Sequence, residues 1–364
     1  MRIGVDARHL AEGRGVARYT RGMLAALAQM YPGDEIVALV PGRGPIDLPA
    51  PMQRHNVRIV RTLLPGRAVF GVGALAGRPR LELLLKRAVD VVWLPAPAPV
   101  ALAGEVPYVL TIHDLSFEQR PGDFTAYERA WHRAAHPRAL ATGAARVVAV
   151  SHATRDVVAD HWRLDAARMR VVGQGVWGPG DHPRPRPEWL PKRYVLAVGA
   201  LEPRKACGVL ADAFALARHR GLDAELVFAG AGRLAGRLGR RPGVRVMGHV
   251  SADALDALYS HAIALAMPSY LEGFGLPPLE ALSRGTPPVV ADLPVYRETL
   301  GGAAVRVPPG DVEALAAALV RLDGDGALRA RVLSAAPQAL APHTWSRAAA
   351  GLRAVLAEAA EAPA

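Results

Sequence analysis

Cysteine is almost absent: Cys207 is the single one in 364 residues, which excludes an internal disulfide and a cysteine-built metal site. Aromatic residues reach only 5%, with neither a stacking motif nor a DNA-binding helix, so no nucleic-acid partner is expected. No uncharged run attains the roughly 18 residues that span a bilayer. Met1 to Val5 opens directly into a strand pattern instead of a charged start and an apolar signal core. These absences predict a cytoplasmic protein, neither exported by that route nor integral to a membrane. Acidic residues are also outnumbered, 33 against 44 Lys and Arg, for a net charge of +11. The deficit is mostly N-terminal: residues 1–180 hold 23 basic and 15 acidic residues, and residues 181–364 hold 21 and 18. Within 54–87 there are eight basic residues and one acid, interleaved with Leu63, Leu64, Val69, Phe70 and Leu75. That segment reads either as a peripheral seat on the anionic inner face of a membrane or as plain arginine-rich composition.

What is present is apolar and periodic. Hydrophobic residues make up 51% against 21% charged, the balance of a folded globular chain. The length exceeds the usual single-domain limit, so two domains are expected. Short apolar runs alternate with helical patterns in both halves, which predicts βαβ units and parallel sheets. Strands are expected at 2–5, 35–40, 57–60, 89–94, 108–112, 145–150 and 169–172, then at 194–198, 224–229, 244–247, 263–267, 288–291 and 304–307. Helices fit 16–30, 124–141 and 153–161, then 207–219, 252–260, 278–283, 295–300, 312–322 and 326–335. The proline-rich stretch GPGDHPRPRPEWLPK marks a linker. The expected organisation is a domain at 1–178, a linker at 179–192, a second domain at 193–342 and a last amphipathic helix in 343–364 that can pack back on the first domain.

Ligands of open α/β sheets bind at the carboxyl ends of strands, which directs attention to the loops there. After the first strand, Gly13 and Gly15 permit close backbone approach and Val16 starts a helix; a plain turn explains them equally well. His113 and Asp114 follow the strand at 108–112, where a lone histidine can be structural or functional. In GALEPRKACG, Arg204 and Lys205 lie beside a helix N-terminus, the unfavourable end for a cation but a suitable place to clamp a diphosphate. FAGAGRLAG, which contains Gly230, loosely mimics a dinucleotide fingerprint, but the following strand ends Val246, Met247, Gly248, His249 without the acid that would hold a ribose.

The most informative stretch is SYLEGFGLPPLEALSRGTPPVV, Ser269 to Val290. Gly273, Gly275, Pro277 and Pro278 forbid one continuous helix from Glu272 to Glu280. The reading is loop, then helix from Pro277 or Pro278, with Glu280 in the first turn near the positive end of the helix dipole. The plain alternative makes Glu280 a dipole partner and Glu272 a solvated loop residue. Other patterns are discounted. His132 and His136 share a helix face without a third metal ligand. Asp323 and Asp325 read as a turn, and Cys207 reads as a small buried residue.

SYLEGFGLPPLEAL resembles the signature of the retaining GT4 glycosyltransferases, which have the GT-B fold: two Rossmann-like, doubly wound domains facing across a cleft. EGRGVARYT, TIHDL, VVAVSHATRDVV, VGALEPRK and GHVSADALDALYSHAIALAMPS resemble further family segments in the same order, so the likeness covers nearly the whole chain. It implies a nucleotide-diphosphate-sugar donor as substrate, no separate cofactor and no metal. It also implies a saccharide, lipid-linked or small-molecule acceptor. Carried over, Glu280 accepts ribose hydroxyls, with Gly230 and Val250 lining the nucleotide site. Glu272 holds hydroxyls of the transferred sugar. Amides of Phe274, Gly275 and Leu276 meet the diphosphate with Arg204 and Lys205. His113 contacts the sugar near the reacting carbon, and Gly13 and Gly15 serve the N-terminal loop that closes over the phosphate. A departing phosphate oxygen takes the acceptor's proton, so no side-chain base is required. Ala200 stands where many relatives carry a basic residue, and Trp177 where relatives commonly have an acid. Two other readings stay open: a glycoside hydrolase using Glu272 and Glu280 as acid and nucleophile, and a non-catalytic sugar-nucleotide-binding protein.

Overall fold

The computed structural model describes every residue except 12–14, 45, 47, 49, 64–65, 67–69, 72–76, 179–185 and 362–364. Two compact units emerge, Met1–Gly175 with His343–Ala364, and Val176–Pro342. The first unit ends three residues before the expected boundary at 178 and takes in the C-terminal segment. Much of the proline-rich linker, 179–185, lies outside the described residues.

The first unit is built on seven parallel strands: β1 (Arg2–Asp6), β2 (Glu35–Val40), β3 (Val57–Arg61), β4 (Val91–Leu94), β5 (Tyr108–Ile112), β6 (Arg146–Ala149) and β7 (Met169–Val171), in the order β3-β2-β1-β4-β5-β6-β7. The strands read as near-continuous apolar runs because helices cover both faces. On one face Tyr19, Met23 and Leu27 of helix Gly15–Met30 join Leu352, Val355 and Leu356 of helix Trp345–Ala360 over Ile3, Val5 and Trp93. On the other, Leu85, Val158 and Trp162 cover Val92, Leu110 and Ile112.

The second unit carries six parallel strands: β8 (Tyr194–Val198), β9 (Glu225–Ala229), β10 (Val244–Gly248), β11 (Ala264–Met267), β12 (Pro288–Ala291) and β13 (Val305–Val307), in the order β10-β9-β8-β11-β12-β13. In each sheet the strand order reverses beside the first strand, β1 against β4 and β8 against β11. The diverging loops at such a reversal open a crevice outside the strand ends. No helix among the described residues is long and apolar enough to cross a membrane.

Two expectations need correction. The pattern at 124–141 forms two helices, Ala126–Ala135 and Pro137–Gly143, because His136 turns left-handed (φ 42°) ahead of Pro137, a position where proline disfavours the α conformation. His132 and His136 therefore do not share a face; His132 stacks on Phe117 at 4.6 Å. The helix after the glycine loop spans Leu276–Leu282. It starts earlier than expected because Gly275 (φ 85°) already closes the loop, so Glu280 stands beyond the first turn and is no dipole partner.

Candidate active site

Most of the residues singled out in the second half meet at the crevice between β8 and β11. After β8 the chain makes a 3-10 turn, Pro203–Lys205, and then enters helix Cys207–His219 through Ala206 in left-handed geometry. After β11 it runs through Ser269 to Gly275. The backbone amide of Tyr270 donates to the Arg204 carbonyl at 2.9 Å, which ties the two loops together. Across that tie Lys205 Nζ lies 2.6 Å from Glu272 Oε1. Ser269 Oγ donates to the same oxygen at 2.8 Å. Glu272 is 10% exposed and Lys205 16%, so the solvated-loop reading of Glu272 does not hold. Arg204 turns instead to Glu202, 2.9 Å away.

Gly275 is required by space as well as by φ: a Cβ there would run into the ring of Tyr296. Tyr296, on helix Pro294–Leu300, is fully buried. Burial, and then the charge of Glu272, push its hydroxyl well above the ordinary tyrosine range. Gly230 is likewise forced by close approach, since a Cβ would strike the carbonyl of Gly199. Phe274 is 5% exposed, Leu276 opens the helix, and half-buried Val250 directly precedes Ser251, the cap of helix Ala252–His261.

Glu280 is only 1% exposed. Tyr259 donates its hydroxyl to Glu280 Oε2 at 2.8 Å. Arg284 lies 5.4 Å over the Tyr259 ring, pairs with Asp256 at 2.6 Å and donates to the carbonyls of Glu280 and Trp177 at 3.0 Å. A glycosidase pair needs both carboxyl groups open to one sugar; Glu272, ion-paired with Lys205, and Glu280, bonded to Tyr259, are both already engaged. Cys207 is buried, and burial pushes its thiol up to about 11, which leaves no reactive thiolate at neutral pH.

In the first unit, His113 follows β5. Its Nε2 lies 2.9 Å from the Pro95 carbonyl, and its ring meets the Tyr19 ring edge-on at 4.7 Å. Burial lowers its pKa to about 4. A neutral ring facing a carbonyl carries its hydrogen on Nε2, which leaves Nδ1 as an acceptor. Gly15 is exposed at the start of its helix, and Gly13 lies outside the described residues.

Several buried polar groups escaped the sequence reading. Asp6, at the end of β1, is fully buried and pairs with Arg8 at 3.3 Å. The Arg8 guanidinium lies 4.8 Å over the Phe70 ring and donates to the Pro97 carbonyl at 3.2 Å. Acid and base two residues apart at a strand end were the available signal. Tyr259, Ser269 and Tyr296 had none, since isolated hydroxyls carry no spacing.

Residues 13–176 match the family model described as Glycosyltransferase Family 4, and residues 192–325 match the one described as Glycosyl transferases group 1. An O-antigen chain mannosyltransferase of Salmonella typhimurium is 29% identical over 49% of this chain and 50% of its own length. The chain spans about half the length of the curated relatives it matches. A sucrose-phosphate synthase of Thermosynechococcus elongatus superposes with a TM-score of 0.75 at 19% identity, covering 98% of each chain. An Anabaena protein solved with UDP and glucose gives 0.70 at 19%, covering 98% of this chain and 99% of its own. The fold is of the GT-B type.

Proposed function

We propose, for a chain that belongs to the family 4 (group 1) glycosyltransferases, that it moves a hexose from a nucleoside diphosphate sugar to an acceptor hydroxyl with retention of configuration and without a metal or other cofactor. The observation that carries this reading is the Lys205 and Glu272 pair at the strand-order reversal of the second sheet. It sets a cation for a diphosphate beside a carboxylate for sugar hydroxyls. Glu280, held by Tyr259, is the ribose partner in this reading, and Arg204 adds charge at the phosphate. Amides of Phe274 to Leu276 face the diphosphate, Gly230 and Val250 line the nucleotide, and His113 offers Nδ1 to a sugar hydroxyl. The acceptor is a saccharide, a lipid-linked glycan or a small molecule. An O-antigen mannosyltransferase among the relatives supports the glycan classes.

In the reaction the bond between the anomeric carbon and the diphosphate oxygen breaks, and the nucleoside diphosphate leaves with the electron pair. The acceptor oxygen bonds on the same face, and its proton passes to the departing phosphate oxygen. Lys205 and Arg204 stabilise the charge that develops on that leaving group.

The test supplies UDP-glucose or GDP-mannose with saccharide acceptors in excess chelator and follows nucleoside diphosphate release, with the anomeric configuration of the product read by NMR. Release in chelator with a retained anomer is expected. Activity restored only by added metal removes the metal-free element, and an inverted product removes the same-face mechanism.

A further inference from the structure

Tyr296 has a polar group that the proposed transfer does not use. Its hydroxyl is buried and makes no hydrogen bond of good geometry, although Ser269 and Glu272 are its polar neighbours. Leaving such a group unpaired is costly, and folded proteins keep few of them. Packing does not account for the tyrosine, because the ring alone fills the space beneath Gly275 and phenylalanine would do so without the polar penalty. Glu272 offers the explanation. Its Oε1 takes both Lys205 and Ser269, and the Tyr296 hydroxyl lies beside the same carboxylate. A diphosphate outcompetes a single carboxylate for an ammonium, and its arrival would strip Glu272 of its cation.

We propose that Tyr296 is the reserve hydrogen-bond donor of Glu272: once a sugar nucleotide draws Lys205 to its diphosphate, the Tyr296 hydroxyl, with Ser269, holds the carboxylate in place for the hydroxyls of the sugar. Tyr296 is thus a positioning residue that acts through Glu272. The inference rests on reading Lys205 as the phosphate partner and Glu272 as the sugar-holding group.

The experiment is titration calorimetry of the full chain with UDP, GDP, UDP-glucose and GDP-mannose, comparing the wild type with Tyr296→Phe. In the variant, affinity for the diphosphate stays within about twofold, and affinity for the matching sugar nucleotide falls about tenfold, the loss of one hydrogen bond to a charged group. The thermal midpoint does not fall. In a Glu272→Gln background the same change adds nothing further, because the group it acts through is gone. Equal changes for diphosphate and sugar nucleotide, no change for either, or additive losses in the double variant would each overturn the proposal while leaving the donor reading intact. A wild type that binds none of the four overturns the donor reading and this proposal together.

Discussion

Burial holds the His113 imidazole neutral at physiological pH, its pKa lowered from 6.5 to about 4. The unfolded chain takes up this proton first on acidification, so His113 removes stability between about pH 6.5 and 4. If it serves transfer as a neutral acceptor, kcat/KM has no inflection from His113 between about pH 5 and 8; a pH profile with an ordinary histidine pKa that vanishes in His113→Ala would contradict this. Glu280 and Lys205 carry separate consequences. Glu280→Ala weakens donor binding about tenfold, measured by calorimetry. Lys205→Ala lowers kcat more than it changes KM, because leaving-group charge develops in the transition state; unchanged kinetics in both would remove the site assignment. Arg8 belongs to stability. Arg8→Ala leaves the fully buried Asp6 carboxylate uncompensated and costs about 3 kcal/mol, seen as a lower urea midpoint.

At the scale of elements, the C-terminal helix Trp345–Ala360 is a structural part of the first unit, although more than 160 residues of the other unit precede it. Leu352 is fully buried against helix Gly15–Met30, and Leu352→Ala costs about 3 kcal/mol by chemical denaturation. Ion pairs frame the contact. Arg353 reaches Asp34 at 2.7 Å, and Arg146 reaches Glu358 at 2.9 Å. Burial alone would raise the Asp34 carboxyl, but hydrogen bonds from Arg353 and the N-terminal amine outweigh it and the pKa falls. Arg146 and Arg170 lower that of Glu358. Carboxylates depressed in the folded state contribute their stability above the unfolded pKa of about 4 and lose it as pH falls further. Proteolysis of the C-terminal helix should therefore accelerate below about pH 4, and earlier in Arg353→Ala. Element positions were largely legible in the pattern, because strands and helices follow local periodicity. Two misses came from backbone chemistry at single residues, His136 before a proline and Gly275 ending its loop two residues early; the short helices Leu81–Leu84, Ser116–Gln119, Ala235–Leu238 and Ala336–Leu340 were not anticipated at all.

Across the whole molecule, the basic excess of the first half does not translate directly into a free cationic surface. Arg61 donates to the carbonyls of Gly42 and Gly44, and Arg87 pairs with Glu35. Leu64, Arg67, Val69 and Leu75 lie outside the described residues, whereas Leu63 and Leu83 stand 75% and 71% exposed. If this segment seats the protein on an anionic bilayer, sedimentation with phosphatidylserine vesicles falls with salt and falls further in a Leu63→Glu, Leu83→Glu variant; equal recovery with neutral vesicles would dispose of the idea. Composition and periodicity were enough to establish two parallel α/β units, and the glycine and proline spacing around Glu272 was enough to mark the loop between β11 and helix Leu276–Leu282, since both signals are short-range. Tertiary structure alone decided that Lys205 closes on Glu272 across 67 residues of chain, that Tyr259 and Tyr296 stand behind the two glutamates, and that the last helix returns to the first unit. Those are pairings between side chains brought together only when strand order places β8 beside β11, and no local pattern encodes which loops will meet.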